Sequence, residues 1–245
     1  MPANPITTIL FDLDGTLLPI DQNEFIHTYF TYLAEKAAEY GYEKEPFLAS
    51  MWKATGKMIV NDGSRKNMDA FWDGFTAIWG EKGRDLEKPL ESFYANEFNK
   101  TKSILQEVKP VRALIDALKA AGFTLCLATN PLFPPEAIRS RLDWIGLVPE
   151  DFVHVTTYDN STFCKPQPGY YREILALLGK QPQECLMIGN NPSDDMSALQ
   201  VGIDGFLITD HLENEHNMDI SQFRHGDFNA FLRFMEERLG ISLPS

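Results

Sequence analysis

Short apolar runs alternate with amphipathic stretches over the second half of the chain. The pattern predicts strands near 123–129, 152–156, 185–188 and 205–209, and helices near 110–121, 134–146, 169–178, 194–201 and 227–239. Another apolar run, over 6–11, predicts a buried strand close to the start of the chain. Alternating short strands and helices indicate an α/β fold in which helices cover both faces of a parallel sheet.

The stretch from 19 to about 105 has no strand pattern and predicts helices only. Asp21, with Glu24 three residues later, is a typical helix start, and Gly41 is expected to end that helix. The stretch contains 15 of the chain's 29 Phe, Tyr and Trp residues, which we expect to form a small core of its own. We interpret its aromatic stripes as helix-packing faces rather than as a substrate slot.

A polar break, Asn61-Asp-Gly-Ser-Arg-Lys-Asn67, separates two of these helices. The simpler interpretation is an exposed turn. The alternative hypothesis is that the break leans over the region of Asp12, where Arg65 and Lys66 would contact the leaving group of a substrate.

Composition narrows the function classes. The 245 residues carry 22 basic and 35 acidic side chains, a net charge of −13, which disfavours a broad nucleic-acid or anionic-membrane surface. Three scattered cysteines and five histidines without ligand spacing predict neither a disulfide framework nor a zinc site. There is no signal-peptide pattern and no apolar run of roughly 20 residues, so we expect a cytoplasmic protein without a membrane span.

Polar clusters follow the predicted strands. In an open parallel sheet, ligands bind beyond the carboxyl ends of the strands, so these clusters are expected to meet at one edge. The clusters are Asp12 and Asp14 after the first strand, Thr129 and Asn130 after the second, Lys165 after the third, and Asn190, Asn191, Asp194 and Asp195 after the fourth.

Phosphoryl transfer needs a nucleophile, a proton donor for the leaving oxygen and positive charge for the phosphate oxygens. Asp12 and Asp14 suit the first two roles, because one carboxylate can attack phosphorus while the other exchanges protons. The Thr129 hydroxyl and the Lys165 ammonium suit the third. The oxygen-rich fourth cluster offers ligands that Mg²⁺ prefers.

The same residues resemble the motifs of the haloacid dehalogenase-like hydrolase superfamily. The first motif reads Phe11-Asp-Leu-Asp-Gly-Thr-Leu17 and the second Leu127-Ala-Thr-Asn130; the third reads Cys164-Lys-Pro166 and the fourth Gly189-Asn-Asn-Pro-Ser-Asp-Asp195. The match covers 6–18 and roughly 105–210. Within the family, the residues at 128–134, 164–166 and 189–196 resemble those of a poorly characterised bacterial branch. Proteins of this branch have asparagine after the glycine of the fourth motif.

The resemblance implies a Rossmann-like parallel-sheet core, residues 1–18 and 106–245, with an inserted all-helical cap domain, residues 19–105. It implies that Asp12 is the nucleophile and Asp14 the general acid/base, whose backbone carbonyl also binds metal. It further implies that phosphate is bound by Thr129, Asn130 and Lys165, and that Mg²⁺ is held among Asp12, Asp14, Asn190, Asp194 and Asp195.

The fourth motif leaves one question open. Asn190 stands where the family usually has an aspartate, so it keeps an oxygen ligand and loses a charge, and we expect weaker Mg²⁺ binding. The spacing to Gly202 favours Asp194 as the compensating carboxylate, whereas the Asp-Met pattern favours Asp195. Both stay candidates.

The leading hypothesis is a Mg²⁺-dependent phosphatase that hydrolyses a small phosphorylated metabolite through an aspartyl-phosphate on Asp12. The presence of Asp14 argues against a dehalogenase, which has no leaving alkoxide to protonate. Two alternatives stay open, a sugar-phosphate mutase and a catalytically weak protein that only binds a phosphorylated ligand.

Overall fold

Six parallel strands form the centre of the protein. The computed structural model describes residues 6–106 and 108–243, and the strand order is β3-β2-β1-β4-β5-β6. The strands are β1 (Thr8–Phe11), β2 (Thr124–Leu127), β3 (His154–Val155), β4 (Cys185–Gly189), β5 (Asp204–Ile208) and β6 (His225–Gly226). The predicted α/β fold with a parallel sheet is therefore confirmed.

Side chains of the central strands alternate between two apolar layers. In β1, Ile9 and Phe11 face one layer while Leu10 faces the other, and β2 and β4 alternate in the same way. The larger layer packs against α5 (Val111–Ala120), α6 (Pro135–Trp144) and α8 (Phe228–Leu239), and the smaller against α7 (Pro168–Leu178). Helices on both faces explain why the strands are almost wholly apolar.

The order of the strands creates a crevice at the centre of the sheet. The chain runs outward from β1 through β2 to β3, then returns to pair β4 with the other side of β1. Loops that leave β1 and β4 therefore diverge to opposite faces, and this switch point is where α/β sheets bind ligands.

The aromatic residues of the helices between β1 and β2 pack on one another, and this core is continuous with the larger apolar layer. The helices are α1 (Gln22–Ala38), α2 (Lys44–Ile59), α3 (Asn67–Trp79) and α4 (Glu87–Ala95), followed by 3-10 turns over Glu97–Ile104. Phe98 stacks on Trp144 of α6 with ring centroids 5.7 Å apart, which joins the two sets of aromatic residues. The expected aromatic core is therefore present but continuous with the core over the sheet, while the division at 18/19 and 105/106 stays a prediction.

Other differences from the sequence prediction lie at the ends of elements. The helix expected over 194–201 is a 3-10 segment that begins only at Met196, because the preceding backbone folds around the side chain of Asp195. The strand β3 is two residues long, at the edge of the sheet, and the equally short β6 was not predicted. Across the part of the chain that the structure describes, no helix is both long and apolar enough to cross a membrane.

Candidate active site

The first, third and fourth motifs meet at the carboxyl end of the central strands. Asp12 directly follows β1, and its Oδ1 lies 2.8 Å from the Nζ of Lys165. The same ammonium lies 2.6 Å from Oδ1 of Asp195, in the loop after β4. One buried cation is thus shared by two buried carboxylates, and the three motifs are held in direct contact.

The protonation of Lys165 follows from these neighbours. Burial alone lowers the pKa of a lysine, but the charges of Asp12 and Asp195 outweigh it and raise the pKa of Lys165 well above its usual value. Lys165 therefore stays an ammonium at neutral pH, ready to bind an anionic oxygen.

Asp14 pairs with a residue that the sequence prediction missed. The buried guanidinium of Arg141, in α6, donates through Nη1 to Oδ2 of Asp14. Burial raises the pKa of Asp14 to about 6, and the charge of Asp12 adds to this effect while Arg141 opposes it. The remaining Oδ1 of Asp14 and Nη2 of Arg141 are buried and have no hydrogen-bond partner within residues 6–106 and 108–243.

A signal for Arg141 was present in the sequence. It lies on the inward face of α6, between Ile138 and Leu142, where an apolar residue is the rule. Its guanidinium carbon stands 4.4 Å from the ring centroid of Phe133, so cation–π contact helps to hold it inside the protein.

The loop after β4 is organised by Asp195. Its Oδ2 accepts from the backbone N–H groups of Asn190 and Asn191, both at 2.9 Å. Gly189 permits this approach, because a Cβ at that position would stand 2.1 Å from the Asp195 carboxyl carbon. Burial and the charge of Asp12 raise the pKa of Asp195, while Lys165 counteracts them.

Asn190 is fixed by contacts on both sides of its amide. Its Oδ1 accepts from the hydroxyl of Thr16 at 3.2 Å, and its Nδ2 donates to the backbone carbonyl of His211 at 2.6 Å. Gly15 lies against the same amide, with a positive φ of 73° and no room for a Cβ. The Asn190 oxygen thus lies beside the first motif, since Thr16 is also within 3.3 Å of Asp12 Oδ2.

Asp194 and Asn130 form a separate pair at this edge. The Nδ2 of Asn130 donates to Oδ2 of Asp194 at 3.1 Å, and its Oδ1 accepts from the backbone N–H of Lys165 at 3.3 Å. Thr129 is buried, and its backbone carbonyl accepts from the hydroxyls of Thr156 and Tyr170. Asn130 therefore contacts the third and fourth motifs, while the binding of phosphate by Thr129 and Asn130 stays a prediction.

A fifth carboxylate, Glu213, was also missed. It lies in the loop after β5, where its backbone N–H donates to the Asn190 carbonyl at 3.1 Å and its Oε2 lies 3.4 Å from Asn191 Nδ2. Burial and the charges of Asp12, Asp195 and Asp14 raise the pKa of Glu213 to about 8. Sequence periodicity gave no signal for it, because the loop is polar and irregular.

The polar break over 61–67 reaches the site through Asn67 rather than through its charged residues. Arg65 pairs with Asp73 of α3, and Lys66 donates to the backbone carbonyl of Asn160 at 2.7 Å. The buried amide of Asn67 donates to the carbonyl of Phe163 at 3.2 Å, next to the third motif. The hypothesis that Arg65 and Lys66 read the leaving group stays a prediction, although both side chains are engaged elsewhere.

Comparison with known proteins decides the family. The family model for haloacid dehalogenase-like hydrolases matches residues 6–202, which include all four motifs. The chain belongs to this family. It is therefore a haloacid dehalogenase-like hydrolase.

Curated relatives and several solved structures extend over most of the chain. The pyrophosphatases PpaX of Bacillus velezensis and Bacillus cereus are 28% and 26% identical, over 82% and 80% of both chains respectively. A HAD phosphatase from Thermococcus onnurineus has a TM-score of 0.59 at 21% identity, covering 98% of this chain and all of its own. The β-phosphoglucomutase of Clostridium difficile has a TM-score of 0.58 at 14% identity, covering 96% and 97%. Such low identities show a shared fold and nothing finer.

Proposed function

We propose that the protein is a Mg²⁺-dependent phosphatase that hydrolyses a small phosphorylated metabolite. The observation that carries the proposal is the ammonium of Lys165 between Asp12 and Asp195, at 2.8 and 2.6 Å. It supports a site in which a carboxylate and a fixed cation face the same phosphoryl group. A nucleophile and an electrostatic stabiliser are thus in contact before any substrate arrives.

Asp12 and Asp14 would divide the chemistry between them. An oxygen of Asp12 attacks phosphorus, the bond to the leaving oxygen breaks, and that oxygen takes the proton of Asp14. A water then attacks the phosphorus of the aspartyl-phosphate, Asp14 takes the water's proton, and inorganic phosphate leaves with Asp12 restored. The pKa of Asp14, raised to about 6 by burial, suits a group that must both give and take a proton near neutral pH.

The donor set of the site fits Mg²⁺ by its charge. The carboxylates of Asp12, Asp14 and Asp195 pair with the two buried cations Lys165 and Arg141. Burial raises the pKa values of Asp194 and Glu213, and the charge of Asp12 lies close enough to raise them further. Oδ1 of Asp14 has no partner in the described residues.

Across the described ranges no three His, Cys, Asp or Glu side chains form a preformed metal cluster. Backbone carbonyl and amide oxygens are therefore included among the candidate ligands. The candidate ligands are Asp12, the Asp14 carbonyl, Asn190, Asp194, Asp195 and Glu213. When bound, the ion would offset negative charge on the phosphate oxygens.

The test is hydrolysis of p-nitrophenyl phosphate and of a panel of metabolite phosphates that includes inorganic pyrophosphate. We expect turnover with added Mg²⁺, loss of turnover with EDTA, and recovery when Mg²⁺ is restored. Asp12→Asn removes the nucleophile and should abolish activity, whereas Asp73→Asn, an exposed control on α3, should not. Wild-type protein without turnover on any member of the panel would defeat the proposal.

Pyrophosphate hydrolysis is a second candidate, because the curated relatives are named pyrophosphatases. A specific rate on pyrophosphate that exceeds all organic esters would favour it. A mutase would instead transfer the phosphoryl group back to an organic acceptor, seen as an isomerised sugar phosphate without free phosphate. A binding protein would show saturable phosphate-ester binding without turnover.

A further inference from the structure

Two consecutive tyrosines of α7, Tyr170 and Tyr171, lie next to the candidate active site. Both are wholly buried in the smaller apolar layer, and their rings pack edge to face with centroids 4.9 Å apart. A phenylalanine would fill the same space without the cost of burying a hydroxyl. Packing alone therefore does not explain the two hydroxyl groups, and each of them has hydrogen-bond partners in a motif loop.

The hydroxyl of Tyr171 binds the backbone of the fourth motif. It lies 3.0 Å from the carbonyl oxygen of Asp194 and 3.2 Å from that of Asp195, and because a carbonyl only accepts, the tyrosine is the donor. The carboxylate of Asp195 pairs with Lys165. That of Asp194 accepts from Asn130. The Tyr171 hydroxyl therefore holds the backbone from which two candidate metal ligands extend.

The hydroxyl of Tyr170 binds the backbone of the second motif. It donates to the carbonyl oxygen of Thr129 at 2.8 Å. The ring of the same tyrosine has its centroid 5.8 Å from Nζ of Lys165, so an aromatic face supports the ammonium. Tyr170 thus contacts two candidate phosphate-binding residues, one through its hydroxyl and the other through its ring.

Helix geometry explains why two neighbouring residues reach two different loops. Consecutive side chains leave an α-helix about 100° apart, so the adjacent tyrosines on the buried face of α7 diverge. One reaches the loop after β2 and the other the loop after β4, and these two strands flank β1. The helix itself begins at Pro168, shortly after Lys165. The second and fourth motifs are therefore both tied to the helix that follows the third.

We propose that Tyr170 and Tyr171 are positioning residues, which set the loops of the second and fourth motifs relative to Lys165. The inference rests on the proposed phosphatase function and adds two buried residues to it. Tyr171 fixes the loop that would hold Mg²⁺, while Tyr170 fixes Thr129, which would bind the phosphate. The two hydroxyls should therefore have separate effects, one on Mg²⁺ binding and the other on phosphate binding.

The experiment removes each hydroxyl alone, as Tyr170→Phe and Tyr171→Phe, and measures the binding of Mg²⁺ and of inorganic phosphate by calorimetry. We expect Tyr171→Phe to weaken Mg²⁺ binding about fivefold, the effect of one lost hydrogen bond, and to change phosphate binding at saturating Mg²⁺ less than about twofold. We expect Tyr170→Phe to show the reverse pattern. This variant keeps the aromatic ring next to Lys165, so it tests the hydroxyl alone.

Tyr42→Phe is the matched control. Tyr42 is also buried, and its hydroxyl donates to the backbone carbonyl of Lys82 at 2.8 Å, away from the motifs. The control should lower the free energy of unfolding as the two α7 variants do, and should leave both affinities unchanged. If Tyr170→Phe and Tyr171→Phe also lowered stability alone, the two hydroxyls would be merely structural and the proposal would be wrong.

Neighbouring hydroxyls test the same carbonyls if either tyrosine variant fails to fold. Ser197 Oγ donates to the Asp194 carbonyl at 2.7 Å, and Thr156 Oγ1 donates to the Thr129 carbonyl at 2.6 Å. Weaker Mg²⁺ binding in Ser197→Ala would support the role of the fourth-motif contact, and weaker phosphate binding in Thr156→Val that of the second-motif contact. Wild-type affinities in these variants would overturn the proposal.

Binding and turnover together separate the two proposals. If wild-type protein binds both ions but hydrolyses no ester, the phosphatase proposal fails, and the tyrosine variants still decide whether the two loops are positioned as described. If esters are hydrolysed and neither affinity changes in the variants, only the positioning roles fail. If wild-type protein binds neither ion, both proposals are wrong.

Discussion

Arg141 and Asp14 form a buried ion pair between helix α6 and the loop after β1. The pair joins residues 127 positions apart and places a permanent cation against the proposed general acid/base. Burial favours the neutral form of Asp14, whereas Arg141 favours the charged form. The protonation state of Asp14 is thus set by the balance between these two effects.

Replacing Arg141 should change the pH dependence of the reaction. In Arg141→Met the opposing charge is gone, so the pKa of Asp14 rises further above 6. The first step needs protonated Asp14, so kcat/KM decreases as the pH rises through this pKa. In the variant, this decrease should occur at a higher pH than in wild-type protein. The second step needs ionised Asp14, so kcat at pH 7 should drop, by about tenfold or more.

The control for this prediction is Arg139→Met. Arg139 lies on the same helix, but its side chain is exposed and its pair with Glu150, at 3.6 Å, is on the surface. Its pH profile should match that of wild-type protein. A merely structural role for Arg141 would lower activity equally at every pH, and such a parallel profile would contradict the prediction.

Asn190→Asp should destabilise the protein in the absence of Mg²⁺. The amide of Asn190 donates to the His211 carbonyl at 2.6 Å, and an aspartate would place an oxygen against that carbonyl instead. We expect a loss of about 1–3 kcal/mol in the free energy of unfolding, measured by urea denaturation with EDTA. If Asn190 also lies near the metal, saturating Mg²⁺ should recover part of the loss. If the free energy of unfolding were unchanged with EDTA and with Mg²⁺, neither the hydrogen bond to the His211 carbonyl nor a nearby metal ion would contribute to stability at this position.

The strands and the polar clusters that follow them could be predicted, because each signal lies within a few consecutive residues. An apolar run followed by Asp12 or Thr129 fixes both a strand and the residue at its carboxyl end, and parallel pairing then brings these ends together. The four motifs together identified the family. The chemistry of the single clusters alone would have been compatible with several classes of phosphoryl-transfer enzyme.

The contact between Arg141 and Asp14 could not be predicted, for a different reason. The partner of Arg141 is decided by how α6 packs over the first loop, a contact between distant segments with no fixed spacing.

Glu213→Gln should have opposite effects on metal binding and on stability. The substitution removes one carboxylate from the site, so we expect Mg²⁺ to bind about tenfold more weakly in calorimetry. It also removes repulsion from Asp12, Asp14 and Asp195, so the metal-free protein should unfold less readily. Glu215→Gln, exposed in the same loop, should change neither.

The raised pKa of Glu213 predicts how the stability gained by Glu213→Gln changes with pH. The pKa of Glu213 is raised from 4.5 to about 8, so ionising it costs stability as pH rises between these values. Glutamine carries no such cost. The stability advantage of Glu213→Gln should be absent near pH 4, grow with pH and level off above about pH 8, and an advantage that does not depend on pH would contradict the assigned cause.

Asp151→Asn should weaken the protein away from the site, with the opposite dependence on pH. Burial raises the pKa of Asp151, but hydrogen bonds from Arg112, Lys119 and the Val148 N–H outweigh it and hold the pKa well below its usual value. Stability from an ionised carboxylate of this kind is present above the unfolded pKa of about 4 and is lost as pH falls below it. We expect Asp151→Asn to lower the free energy of unfolding by about 1–3 kcal/mol at pH 7.

The same substitution should cost progressively less as the pH falls below about 4, because the wild-type carboxylate then becomes protonated and loses the same interactions. Asp116→Asn is the matched control, since Asp116 also binds Arg112 but has an exposed carboxylate. It should lower stability by less than about 1 kcal/mol at any pH. Equal losses for the two variants in urea denaturation at pH 7 would show that burial of Asp151 does not strengthen its ion pairs.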